Sequence, residues 1–406
     1  MQQYGALSDL RVIDLSQMLA GPVCTQVLAD QGAQVLKIES LEGDGIRSSG
    51  PFHPEDELRA FGGYFQSVNR NKSSLALDLK HPEGRAIFMR LVEDADVVVE
   101  NFRAGVMERL GLGYETLSAH NPRLVYATIR GFGDPRTGPS PYADWPAYDV
   151  VAQAMGGIMG ITGPQGGPPT KIGPGVGDIV PGLMLSVGIL AAIHHAQKTG
   201  QGQFVDVAMA DGVLALCERI VYQRSYEART PGGEGNRHPL LCPFGLFPAS
   251  DGWVSIACAN EKLWAALAAI IGRPDMATDS RFASNPSRVK NAAEVIAAVE
   301  AFTHSRSKAE LATALGGKVP FGAVYSADDI FEDPHFRQRD MLVQLDHPGC
   351  PVPLHVAGVP IKLSRTPGGV RRRAPLLGEH TEQVLRHQLG LGAEAVARLR
   401  EEGAIG

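Results

Sequence analysis

The sequence predicts an α/β protein built on a doubly wound parallel sheet, with a second, smaller domain. Three observations predict it. Short β-branched runs alternate with apolar-periodic helical stretches through the first third of the chain. Glycine or proline marks the starts and stops of those stretches. The length of 406 residues exceeds the usual single-domain size.

Taken in order, Leu10–Leu15 reads as a strand, and Gly21-Pro22 opens a helix running through Leu28. Gly32 stops that helix, and Gln34–Glu39 is the second strand. Ser74–Leu79, Asp96–Glu100 and Arg123–Ile129 read as further strands, and Pro82 begins a helix over Glu83–Glu93. Repeated β-α-β units imply parallel strands with helices on both faces. Ligands of such sheets bind beyond the carboxyl ends of the strands, at helix N-termini. The loop Ser16–Pro22 lies at such a place but is not G-x-G-x-x-G, which counts against a nicotinamide dinucleotide.

From Met155 to Gly177 the chain is rich in glycine and proline, and this loop feeds an apolar helix starting near Ile179. After Arg219 the composition turns polar and reaches Gly232–Asn236, which reads as a linker into the second domain. That domain is expected to hold a strand over Trp253–Ala257 and helices near 263–271, 292–302 and 308–315. It ends near Asp328–Asp333. Strand-like segments at Leu342–Leu345 and His355–Leu363 and a polar helix from Thr381 complete the chain.

Hydrophobic residues make up 44% and charged residues 20%, ordinary for a globular protein, and the formal net charge of −6 gives no general affinity for nucleic acid or anionic membranes. The apolar stretch Ile179–Ala196 contains Pro181, Gly182 and Gly188, and reads as a buried core helix rather than a membrane span. The N-terminal stretch Met1–Asp9 lacks the basic start and apolar run of a signal peptide. Five cysteines without a C-x-x-C pair argue against zinc and a disulfide framework, and suit a reducing cytoplasm.

Two sets of residues carry chemistry. Asp178 follows a run of glycines and precedes an apolar helix, where a carboxylate caps the helix; the same position keeps it ionised and a competent nucleophile toward an activated acyl group. Arg70, Lys72, Lys80, Arg103 and Arg109 flank strands where a phosphate-bearing ligand lies. No H-E-x-x-H pattern assigns a metal, and no G-x-S-x-G forms an esterase elbow.

Together these segments resemble the class III CoA-transferases, the family that includes formyl-CoA transferase and carnitine CoA-transferase. The matching stretches are Val12–Leu15 with Leu19–Pro22, Gly32–Glu39, Asn69–Lys80, Val99–Arg103, Glu108–Gly111, Tyr148–Gln153, Gly177-Asp178, Thr199–Gln203 and Ala374–Thr381. The resemblance implies that Asp178 is the nucleophile. It implies that Leu19, Ala20, Leu77 and Lys80 line the CoA groove, with Asn101, Phe102, Arg109 and Tyr148 also touching CoA. It implies a CoA thioester as substrate, no permanently bound cofactor, and mixed-anhydride and aspartyl-CoA intermediates, so that no ATP is needed. It further implies a large domain from residues 1–221 and 331–406, a small domain over 222–330 inserted between them, and a homodimer whose subunits are linked like rings.

Two departures are visible. The stretch Gly235–Gly245 has no glycine run where formyl-CoA transferase carries a shielding loop, and position 40 is serine where that enzyme has arginine. The rival within the superfamily, an α-methylacyl-CoA racemase, requires histidine where this chain has Tyr148. A non-catalytic CoA-binding protein is the reading from another class. Backbone N–H groups of the Gly175–Asp178 turn are expected to hold the oxyanion, and Arg237 with His238 to face the carboxylate of a dicarboxylic acceptor.

Overall fold

The computed structural model describes residues 5–406, so the first four residues of the N-terminal stretch read above lie outside the described residues. Six strands form one parallel sheet: β1 (Arg11–Asp14), β2 (Gln34–Glu39), β3 (Ser73–Ala76), β4 (Val97–Glu100), β5 (Val125–Arg130) and β6 (Phe204–Ala208). Their spatial order is β3-β2-β1-β4-β5-β6. Val12 stands between Val35 and Val97, which places β1 and β4 at the centre. Every residue of β4 and β5 is buried, as expected for parallel strands covered on both faces. The strand order reverses between β1 and β4, and the crevice beyond their carboxyl ends is where such sheets bind ligands.

Eight helices position the site: α1 (Ala20–Asp30), α2 (Gly63–Asn69), α3 (Pro82–Glu93), α4 (Val106–Arg109), α5 (Tyr114–His120), α6 (Asp149–Met155), α7 (Val176–Thr199) and α8 (Met209–Leu216). Pro82 is the first residue of α3, and the His81 ring accepts the Glu83 N–H. β3 ends three residues earlier than its sequence suggests. At Leu77 the chain turns to pair with Ile405, and Asp78 donates its N–H to the Ala404 carbonyl. β6 escaped the sequence reading because Asp206 interrupts its apolar run. That carboxylate accepts from the Asp134 N–H and the Thr137 hydroxyl at the edge of the sheet.

α7 is long and apolar enough, by length and composition, to cross a membrane. It packs instead against α1, α6, α8 and strands β5 and β6. Gly182 permits this: a Cβ there would stand 2.5 Å from the Ala20 carbonyl oxygen of α1.

The chain divides into two compact units. One comprises the described residues through Ile158 with Lys171–Glu227 and Pro334–Gly406, the other Met159–Thr170 with Ala228–Asp333. Val384, Leu385, Val396, Leu399 and Ile405 of the tail join Ile13, Leu75, Val98 and Tyr126 in the core of the first unit. The second unit is an antiparallel sheet of β7 (Phe244–Ala249), β8 (Gly252–Ala257) and β9 (Phe321–Ala323). Helices bring Trp264, Leu267, Val295, Val299 and Leu311 onto its Phe247, Val254 and Ile256.

Candidate active site

The loop after β1 meets the loop after β4 through one side chain. The Asn101 carbonyl oxygen accepts the Gln17 N–H at 2.8 Å, and its amide nitrogen donates to the Gln17 carbonyl at 2.7 Å. Met18 beside them has φ of 67°, a left-handed conformation that costs a non-glycine residue about 1–2 kcal/mol and collects at functional sites. α1 then starts without a side-chain cap at Leu19. Its first N–H groups have no partner inside the helix, and Pro22 has none to offer. Ala20 itself is buried.

Onto this corner α7 brings Asp178. The close approach rests on Gly175, where a Cβ would stand 2.8 Å from Cδ2 of Leu19. Leu19, Tyr64 and Ile179 all pack on the cluster of Val23, Ile46, Phe61 and Phe65, so the carboxyl sits over an apolar floor. Burial, and next the charge of Asp149, push the Asp178 carboxyl up to about 7, with no hydrogen bond among the described residues drawing it down. Burial and then the Asp178 charge likewise push the Tyr64 phenol up.

Asp149, the first residue of α6, shapes the turn. Its Oδ1 accepts the Gly177 N–H at 2.8 Å, and both of its oxygens accept from the amide of Gln153 at 3.0 and 2.9 Å. Gln153 is fully buried and also accepts the Ile172 N–H at 3.0 Å. Sequence reasoning missed Asp149, Gln153 and Tyr64. For Asp149 and Gln153 the available signals were an acid opening a helix after Tyr148 and the family-like stretch Tyr148–Gln153.

The Asp178 carboxyl, its pKa raised by burial and with no hydrogen-bond partner among the described residues, is set against apolar side chains beside the crevice. The model of CoA-transferase family III matches residues 7–381. The chain belongs to CoA-transferase family III. It is 50% identical to a succinyl-CoA:mesaconate CoA-transferase of Haloarcula marismortui over 94% of this chain and 96% of that one. It is 40% identical to a succinate–glutarate CoA-transferase of Agrobacterium fabrum over 93% and 94%. The crystal structure of a CaiB/BaiF family protein from Brucella suis superposes with a TM-score of 0.83 at 36% identity, covering 95% of this chain and 100% of that one.

As a CoA-transferase, the chain brings Leu19, Ala20, Asn101 and Asp178 to one corner. Tyr148 joins them as the N-cap of α6, beside Asp149 and 63% exposed. Lys80, Arg103 and Arg109 are exposed beyond carboxyl ends of the sheet, and the Arg109 guanidinium lies over Gly105, the N-cap of α4. Phe102 is half-buried and packs on the main core.

Several expectations need correction. Arg70 is buried and bound to Asp30 at 2.7 Å, with a further bond to the Ala357 carbonyl. Lys72 is 1% exposed, bound to Asp14 at 2.9 Å, the Pro22 carbonyl at 3.0 Å and Asn69 at 2.9 Å. Both are scaffold cations with no charge left for a phosphate. Leu77 is buried in the core and gives its N–H to the Glu39 carbonyl, so its side chain lines no groove. Asp178 is not the cap: Gly175 holds that position, without a side-chain bond, and Asp178 lies inside the first turn. Burial and then Asp149 push the Asp178 pKa up despite its place at the helix start.

Three of the four N–H groups in the turn expected to hold the oxyanion are engaged within the protein. The N–H groups of Val176, Gly177 and Asp178 already go to the Pro174 carbonyl, Asp149 and the Gly175 carbonyl. Arg237 is tied within the second unit, bound to Glu300 at 2.9 Å, donating to the Leu246 carbonyl and lying over Phe247. His238 accepts the Leu240 N–H and packs on Phe244.

Proposed function

We propose that the chain transfers coenzyme A from a dicarboxylic acyl-CoA such as succinyl-CoA to a second dicarboxylic acid, with Asp178 as the covalent carrier. The observation that carries this is the placement of an unpartnered Asp178 carboxyl, on an apolar floor, against the uncapped start of α1. The named substrates of the relatives, mesaconate and glutarate with succinyl-CoA or succinate, support the diacid.

The ionised Asp178 oxygen attacks the thioester carbonyl. The C–S bond breaks and its electron pair leaves with the CoA thiolate, forming a mixed anhydride. The thiolate then attacks the aspartyl carbonyl, releasing the first diacid and leaving an aspartyl-CoA thioester. A carboxylate oxygen of the acceptor attacks that thioester and expels the thiolate again. The thiolate finally attacks the acceptor's acyl carbonyl, which frees Asp178 and the new acyl-CoA. Activation is conserved at each step, so neither ATP nor a permanently bound cofactor is required. With three of the four turn amides engaged, the uncapped N–H groups opening α1 are assigned to the oxyanion. One such donor contributes about 3 kcal/mol. Lys80, Arg103 and Arg109 remain as cations for the phosphates of CoA.

A homodimer fits the surface. Leu183, Val187 and Leu190 of α7 and Leu214 and Leu216 of α8 are exposed, Val187 at 67%. A helix apolar on all sides is covered in a folded assembly, and a second copy of the chain is the cover that the family resemblance implies, with the subunits interlocked. The same resemblance and the cysteine usage favour the cytoplasm. Val187→Asp is expected to lower the mass measured by light scattering from that of a dimer. An unchanged mass would remove α7 from the interface.

The function is tested by chromatography of acyl-CoA products. Wild type is expected to convert succinyl-CoA and mesaconate or glutarate to the new thioester, and Asp178→Ala to form none. Turnover by Asp178→Ala at the wild-type rate would overturn the assignment.

A further inference from the structure

With Arg237 committed to Glu300, the remote carboxylate of a diacid needs another partner. Besides its burial, the nucleophile has a like charge beside it, Asp149, which pushes its pKa up, while buried Asp44 is already paired with Lys37 at 3.1 Å. A second carboxylate entering there is repelled unless a cation meets it. Lys171 is positioned to do so. Its ammonium lies 3.7 Å from Asp149 Oδ2, longer than a hydrogen bond, and its side chain is 44% exposed. The same ammonium rests on the carbonyls of Ile172 at 2.8 Å and Gly173 at 3.3 Å.

Its place is built, not incidental. Buried Gln153 binds Asp149 through its amide nitrogen and the Ile172 N–H through its oxygen, so the strand of chain carrying Lys171 is held to the acid that holds the Gly177 N–H. An incoming carboxylate can replace the long contact to Asp149 with a direct charge-assisted bond.

We propose that Lys171 determines specificity by pairing with the remote carboxylate of the dicarboxylic acyl group while Asp178 carries its other end. This rests on the reading above that Asp178 is acylated by a dicarboxylic thioester.

Exchange of isotopically labelled CoA into an acyl-CoA tests it, because that exchange needs only the first covalent step and no acceptor. Succinyl-CoA is compared with butyryl-CoA, which has a methyl group in place of the remote carboxylate. Lys171→Met is expected to lower the succinyl-to-butyryl ratio of kcat/KM by about tenfold to a hundredfold, mainly through KM, and Lys171→Arg to restore most of it. Where butyryl-CoA is not turned over, its inhibition constant against succinyl-CoA is read instead. An unchanged ratio, whether both rates persist or both fall together, overturns the proposal, since a lysine that only screens Asp149 affects both thioesters alike. A thermal melt by circular dichroism confirms that the variant is folded. If Asp178→Ala exchanges as fast as wild type, the covalent reading fails and takes the proposal with it. Normal wild-type exchange with an unmoved ratio refutes the role of Lys171 alone.

Discussion

Asp14, at the carboxyl end of β1, and Asp178, in the first turn of α7, are treated in opposite ways. Asp14, the last residue of β1, is fully buried and accepts bonds from Ser16, Thr25 and Lys72. Burial alone would raise its pKa, but Lys72 and Lys37 outweigh that and hold it at about 2. Asp178 is less deeply placed, has no such partners, and faces another acid. A buried charge that is fully paired fixes the loops of the crevice. One buried beside a like charge has its pKa raised, at a cost to stability, as candidate functional groups do.

The largest effects would come from exchanging these treatments. Asp178→Asn is expected to reduce transfer by about 10⁴-fold or more, as loss of a covalent nucleophile does. It should also stabilise the protein at pH 8 by about 1–3 kcal/mol. The sign follows from a folded pKa near 7 against 3.8 unfolded. Folded chains hold a proton that unfolded chains lose between those values, so the Asp178 contribution to stability declines as pH rises through about 7. A variant melting no higher than wild type would break the comparison.

Lys72→Met attacks the paired side. It leaves Asp14 buried without its cation and is expected to cost about 3–5 kcal/mol in denaturant unfolding. Unchanged stability with a raised KM for acyl-CoA would return Lys72 to the ligand.

A subtler test uses pH. Labelled-CoA exchange is expected to rise with pH through about 7 and level off above it, because only ionised Asp178 attacks. Asp149→Asn removes the like charge while keeping an oxygen for the Gly177 N–H, so the acid limb should move to lower pH. A limb that stays put would mean that burial alone sets it.

The smallest effects belong to the exposed cations. Lys80→Ala and Arg109→Ala are each expected to raise KM for acyl-CoA by about threefold to tenfold, with thermal stability unchanged.

The same contrast explains how much was legible in the sequence. Central strands such as Val97–Glu100 announce themselves, because strands buried on both faces carry near-continuous apolar runs, here Val97–Val99. Asp178 was legible as well, because the glycines before it mark a close approach. Arg70 and Lys72 were misread because a basic residue shows its charge but not its partner. Lys72 meets Asp14 from 58 residues away, across neighbours that only the strand order brings together. Asp149 and Gly177 are 28 residues apart, joined by a loop whose path no periodicity predicts. Spacing therefore located the crevice and the turn that carries Asp178, whereas the division of charges into paired and exposed required the tertiary structure.

The most direct test of the covalent role of Asp178 is peptide mass spectrometry after incubation with succinyl-CoA, with hydroxylamine added to trap activated carboxyl groups. The account predicts a hydroxamate on the peptide containing Asp178, formed above pH 7 and absent from Asp178→Asn. Transfer at full rate with Asp178 unmodified, or exchange of α-protons into deuterated solvent without transfer, would contradict it.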